Sequence, residues 1–265
     1  MEFVTILLSA LLGLGAPVGV VADTLAENAL RDRLQSAESL QVRIDNTPSY
    51  QLVQGRVDRV RIAGRGLVPI EGVRIQALEV DTDAIALNPQ RIRSGQVELQ
   101  QPLQAGVRLV LTEADLQRSL QSPMVQARLQ QLSLAIPGAA TGQRYDVQNP
   151  TINLLDNGRL QLQVTLQPSA QEGRSLQPIT IVIETGLGLQ SSTQLQLTDP
   201  SLQVNGQTLP RELVPLITQS FLPLLDIGSL GDGEITARLL QLKIDEEQLE
   251  IAAFIQVKPE AISGI

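Results

Sequence analysis

The sequence predicts an α+β fold built on a long antiparallel β-sheet with a few amphipathic helices, and three observations carry that prediction. Apolar and polar residues alternate with a period of two through most of both halves of the chain. Three segments instead place apolar residues at helical spacing, each beside a capping or proline signal. No Ser/Gly-rich linker separates the halves, so a single elongated domain is expected over residues 23–265, following an apolar segment at 1–22.

Residues 3–22 carry no charge over a length that can span a bilayer as a helix or serve as an export signal. Only Met1 and Glu2 precede them, so the basic flank of an export signal is missing. Gly13, Gly15, Pro17 and Gly19 also make a poor uninterrupted helix. Three readings stay open: a membrane anchor or uncleaved signal, a signal cleaved near Val20, Val21 and Ala22, and a segment tucked into an apolar groove of the fold. Directly afterwards, Thr24 and Glu27 match a capping box, and Leu25, Ala29, Leu30, Leu34 and Ala37 recur at helical spacing to about Leu40. Glu27, Asp32, Arg33 and Glu38 lie on the opposite, solvated face, which predicts a helix lying against a sheet.

From Gln41 the period becomes two. Val42 and Ile44, Val60 and Ile62, and Val73 and Ile75 alternate with polar neighbours, and the Ala77-Leu78 pair breaks the alternation, which predicts a β-bulge there. Turns are expected at 46–49, 63–69 and 88–89, where Gly, Pro and Asn gather. Val97, Leu99, Val107, Leu109 and Leu111 continue the sheet to a second capping signal, Thr112 to Asp115. Leu116, Leu120, Met124, Ala127 and Leu129 follow, with Ser122-Pro123 predicting two short helices or one kinked helix. In the second half, Leu160, Leu162, Val164 and Leu166 alternate with Gln and Thr as the cleanest half-buried strand, behind an Asp156-Asn157-Gly158 hairpin turn. Ile179, Ile181 and Ile183, then Leu195 and Leu197, then Leu202 and Val204 extend the pattern. A third helix is predicted from Leu209 to Leu224, started by Pro210 and ended by Pro223, before closing strands at 235–244 and 251–257.

Composition narrows the chemistry. Of the 265 residues, 43% are hydrophobic, but with three Phe, two Tyr and no Trp the core must be aliphatic. The chain contains neither His nor Cys, which removes imidazole and thiolate metal sites, the Ser-His-Asp triad, Cys nucleophiles and disulfides. No metal site, cofactor or catalytic residue is expected. A formal net charge of −8 argues against a general affinity for nucleic-acid phosphates or for strongly anionic membrane surfaces, so no nucleic-acid partner is expected. Asp81 and Asp83 share one side of a strand end, yet no calcium loop surrounds them, and a strand-edge role is the simpler reading. Gly64-Arg65-Gly66 and Gly186-Leu187-Gly188 lack the third glycine of a dinucleotide fingerprint, so turn or bulge roles are expected of them, and 228–233 reads as a loop. Arg56, Arg59, Arg61 and Arg65, followed by Arg74, Arg91 and Arg93, are either solvated strand positions or a patch that meets lipid phosphates. The aliphatic faces either pack on one another or form the long, dry groove that acyl chains need.

Residues 26–28, 50–58 and 63–67, with Leu111-Thr112-Glu113-Ala114-Asp115-Leu116 near Ser122-Pro123, resemble the LmeA-like phospholipid-binding family of cyanobacteria and actinobacteria. These are framework strings and not a catalytic signature. The resemblance implies an elongated, strongly curved sheet wrapped around helices, similar to tubular lipid-binding domains. It implies a non-catalytic phospholipid-binding or lipid-transfer protein of the cell envelope, membrane-associated or periplasmic, with phospholipid and the membrane as partners. On that reading the acyl groove is expected at Leu109, Leu116, Leu120, Leu162, Val164, Ile181, Leu213, Leu216 and Ile217, and headgroup contacts at Arg56, Arg59, Arg61 and Arg65. The alternative is a membrane-peripheral scaffold protein with a filled core.

Overall fold

Period-two sequence folds here into two separate antiparallel sheets. The computed structural model describes residues 20–46, 51, 54–93, 98–130, 145–168, 177–218 and 234–262. Most of the apolar N-terminal segment, Val97, and the expected helix end and loop over 219–233 lie outside the described residues. The chain divides into two compact units, one of 1–111, 227–241 and 250–265, the other of 112–226 and 242–249.

In the first unit, helix α1 (Val20–Arg31) precedes β1 (Ser39–Asp45), β3 (Arg59–Ile70) and β4 (Val73–Thr82). β6 (Leu103–Thr112), β12 (Ile235–Ile244) and β13 (Gln248–Val257) complete a six-stranded sheet in the order β1-β3-β4-β6-β13-β12. β2 (Arg56–Val57) and β5 (Ile85–Ala86) form a small ladder of their own, followed by the short helix α2 (Pro89–Arg93). Ala26, Leu30 and Leu34 are buried with Leu40, Val42, Val60, Ile62, Leu67, Leu78 and Val80 in one aliphatic cluster.

The second unit opens with α3 (Glu113–Leu120) and α4 (Pro123–Gln130). Five strands follow in the order β11-β10-β9-β8-β7: β7 (Tyr145–Leu154), β8 (Arg159–Pro168), β9 (Ile179–Leu189), β10 (Leu195–Val204) and β11 (Gln207–Thr208). A 3-10 turn at Arg211–Leu213 leads into α5 (Val214–Thr218). The capping box is present at α3, where the Thr112 hydroxyl accepts from Asp115 N and the Asp115 carboxylate accepts from Thr112 N. Ser122-Pro123 divides the helices as expected, with Pro123 at the first position of α4 and the Ser122 hydroxyl accepting from Val125 N.

Several expectations need correction. Helix α1 starts at Val20, so Thr24 and Glu27 lie inside it and form no cap. It ends at Arg31, well before Leu40, because pairing with β3 takes over the backbone: Gln35 N donates to Val68 O and Val68 N to Ser36 O. Asn88-Pro89 does not merely turn the chain, since Pro89 starts α2 and the Asn88 side chain accepts from Gln90 N. Residues 63–69 are strand, not turn, and the turn follows at Glu71-Gly72. Ala77 and Leu78 pair in unbroken register with Arg65 and Gly64, and the shift falls instead between Leu67 and Ile70.

Gly66 lets the strand run through 63–69, and its neighbours Arg65 and Leu67 keep one register ahead of the shift. Its φ is +57°, and this left-handed residue within β3 moves the buried positions from Val60, Ile62 and Gly64 to Leu67 and Pro69, across from the change between Ile75 and Leu78 on β4. A Cβ at Gly66 would also fall on the Glu38 side chain, which is ion-paired to Arg74 at 2.7 Å. Gly66→Ala should therefore destabilise the protein by about 1–2 kcal/mol, the cost of a left-handed alanine, read as a lower urea midpoint with an unchanged slope. Gly186-Leu187-Gly188 likewise lies inside β9, where the close approach of Thr198 leaves no room for a Cβ at Gly186. The bulge belongs to the partner strand β10, between Thr198 and Ser201.

Candidate functional site

Cross-strand register turns the alternating aliphatics of the second unit into a continuous face. Val147, Leu166 and Ile179 form one rung, Val164, Ile181 and Val204 the next, and Ile152, Leu162, Ile183 and Leu202 a third. Such cross-strand apolar neighbours are the unit of sheet stabilisation. Val147, Val164, Leu166, Ile181, Ile183 and Leu202 are buried together with Val214 of α5, and Leu129, Leu209 and Tyr145 pack against them. Leu162, on the same face, is half-buried.

The structure treats the expected groove residues unequally. Val164 and Ile181 are cross-strand partners in the cluster. Leu116 and Leu120 are half-buried on α3, and Leu213 is half-buried in the 3-10 turn. Leu216 and Ile217 belong to α5, and their side chains lie outside the described residues. Leu109 packs against the aliphatic cluster of the first unit and is not grouped with the others.

Helices α3 and α4 are fixed to the second sheet by side chains that stand in for a missing strand. β7 is the outermost strand of its sheet, so one row of its backbone groups has no strand partner. The Gln117 amide donates to Pro150 O at 3.1 Å and accepts from Ile152 N at 2.9 Å. Gln130 does the same at Val147, donating to its carbonyl at 2.8 Å and accepting from its N–H at 3.2 Å. Glu113 accepts from Leu154 N at 2.7 Å. A bulge at Asn149-Pro150, with Asn149 at φ 48°, sits in the middle of this row. Sequence reasoning found none of these contacts, although an Asn-Pro pair inside an alternating run marks such a bulge.

Half of the expected arginine patch is ion-paired. Arg59 lies 3.3 Å from Asp81, and Arg61 pairs with Asp45, which also receives Arg43 at 3.0 Å. The Arg61 hydrogen bond, seconded by Arg43, holds the Asp45 carboxyl below the usual carboxylate range. Arg108 joins Glu79 at 3.2 Å and Glu250 at 2.7 Å. Register explains the pattern: Arg43, Arg61 and Asp81 stand side by side on β1, β3 and β4, and Glu79 stands opposite Arg108. Arg43, Arg61, Glu79, Asp81 and Arg108 ring an open depression of about 560 Å³ whose apolar lining includes Ala63, Val107, Leu240, Ala252 and Ala253. Exposed pairs of this kind contribute little to stability, so the ladder mainly cancels charge. Arg56 and Arg65 are exposed and form no ion pair among the described residues.

A second concavity, of about 430 Å³, lies between the bulge of β10 and the segment 208–218. It is lined by Asp199, Pro200, Ser201, Thr208, Leu209, Arg211, Val214, Pro215 and Thr218. Among the described residues no group of three or more acidic side chains could hold a metal ion, and no helix is long and apolar enough to cross a membrane.

A β-rich chain with aliphatic sheet faces, an aromatic-poor core and short helices hung on a sheet edge defines the class of protein. The chain belongs to the LmeA-like phospholipid-binding family, whose model matches residues 15–254. No curated protein and no solved structure matches it.

Proposed function

We propose that this protein binds phospholipid without catalysis and carries or holds it in the cell envelope, laying acyl chains along the aliphatic face of β7–β10 beside α3 and α5. The observation that carries the proposal is the family match over residues 15–254. The exclusively aliphatic character of the rungs supports it, because flexible hydrocarbon needs dry, smooth surface and few directional contacts. The carboxylates that an enzyme would have used are engaged elsewhere: Asp81 with Arg59, Asp83 with Ala84 N, and Glu113 with Leu154 N.

Native mass spectrometry of detergent-free protein, joined to uptake of a labelled phospholipid from vesicles, tests the proposal. Phospholipid masses on the folded protein and saturable uptake are expected. Protein that stays empty and takes up no label would overturn the lipid reading and favour a scaffold. Transfer of label to acceptor vesicles, faster with protein than without, separates a carrier from a holder.

A further inference from the structure

We propose that the concavity at the β10 bulge is a headgroup site for a phosphodiester lipid whose headgroup carries free hydroxyls, as glycerol does, with Arg211 as the contact for the phosphate. This assignment rests on the phospholipid reading and adds to it the place and chemistry of the polar end.

Arg211 is distinguished by its place, since it is the arginine in the lining of this cavity. Arg43, Arg59, Arg61, Arg108 and Arg159 each meet a carboxylate, whereas Arg211 forms no ion pair among the described residues and lines a cavity of about 430 Å³. That volume lies within the range of small-molecule pockets. A guanidinium presents a planar fork of donors that matches a phosphate, and such charge-assisted bonds are the strong ones. The hydroxyls of Ser201 and Thr208 share the lining.

The pocket wall is also built and held. Asp199 stands at φ +45° where the register of β10 shifts, a conformation that costs free energy unless its surroundings impose it. Here Arg159, itself paired with Glu184 at 2.8 Å, donates to Asp199 O at 3.0 Å, and the Thr185 hydroxyl donates to Thr198 O at 3.1 Å. The bulge takes Asp199 and Pro200 out of the regular ladder, and both line the cavity.

Position suits an amphipath. Leu209 and Val214 line the cavity and also pack in the aliphatic cluster, so the cleft and the apolar surface share two side chains. Asp199 sets the selectivity. Its carboxylate opposes a free phosphate dianion but accepts hydrogen bonds from headgroup hydroxyls beside a singly charged phosphodiester. Among the described residues no aromatic ring lines the cavity to receive a choline cation.

The test compares the full chain with Arg211→Gln, Asp199→Asn and, as a control, Arg33→Gln at an exposed arginine, after circular dichroism has matched their folds. Binding to vesicles of phosphatidylglycerol and of phosphatidylcholine is measured, with soluble glycerol phosphate as competitor. Arg211→Gln should weaken phosphatidylglycerol binding about tenfold, the loss of one charge-assisted contact. Asp199→Asn should narrow the preference for phosphatidylglycerol over phosphatidylcholine, and Arg33→Gln should leave both unchanged. Wild-type lipid binding that Arg211→Gln does not weaken overturns the headgroup assignment while the phospholipid reading stands. No lipid binding by wild-type protein overturns both. Glycerol phosphate that binds in an Arg211-dependent manner, with no lipid uptake, marks a site for free phosphate and overturns the headgroup assignment.

Discussion

Val164→Asp is expected to unfold the second unit and not to abolish lipid uptake selectively. Val164 is 5% exposed, its cross-strand partner Ile181 is 1% exposed, and Leu166 on the same face is fully buried. A carboxylate placed there enters the buried cluster of Val147, Leu166, Ile181, Ile183, Leu202 and Val214, so it must either ionise in apolar surroundings or take up a proton and remain a buried polar group. Either state costs several kcal/mol, against a total stability of roughly 5–15 kcal/mol for a domain. Urea melts followed by circular dichroism should show the transition lost or moved to very low denaturant. Leu162→Asp separates structure from binding, because Leu162 lies on the same face but is half-buried. It should fold with a modest loss of stability and reduced uptake of labelled lipid. A normally folded Val164→Asp protein would show that water reaches this cluster and that the face is not dry.

The contrast between those two residues bears on what a sequence can disclose. Alternation over 159–168 announced both as inward-facing, and β8 occupies that run. How deeply each is covered depends on Leu129, Leu209 and Val214, which arrive from distant parts of the chain. Local signals were legible wherever the deciding chemistry is local: the Thr112 box, the Ser122-Pro123 break, and the Asp156-Asn157-Gly158 turn, where Arg159 N donates to the Asn157 side chain. They misled where a distant strand competes for the backbone. Helix α1 stops because β3 takes Gln35 and Ser36, and Gly66 permits a strand where Gly and Pro suggested a turn. Charge was harder still. Arg61 and Asp45 are 16 residues apart, and only the register of β1 on β3 brings them together, while Arg56 and Arg65 of the same run form no ion pair among the described residues. The two bulges share one signature, Asn149-Pro150 and Asp199-Pro200, each an Asx residue at positive φ before proline within a strand.

Gln117→Leu should be the most damaging substitution of a polar side chain in the helices. The side chain keeps its length and helix propensity, so α3 itself is little affected. The change falls on β7, where Ile152 N and Pro150 O lose the partner that substitutes for a neighbouring strand. A buried backbone group left unsatisfied costs about 1–3 kcal/mol, and these two are partly buried, so a loss of roughly 2–4 kcal/mol is expected. For a chain of this size that corresponds to a fall in melting temperature on the order of 5–15 °C. Exchange of the Ile152 amide with solvent deuterium should accelerate more than that of the β8–β9 ladder, whose bonds the mutation does not touch. An uncovered row of backbone donors and acceptors is also a template for another chain, so light scattering at intermediate denaturant should rise. Gln117→Glu keeps the acceptor for Ile152 N and loses the donor to Pro150 O, and should fall between the two. Unchanged melting and unchanged amide exchange in Gln117→Leu would mean that solvent already satisfies this edge, and that α3 is held to the sheet by Glu113 and by its aliphatic residues alone.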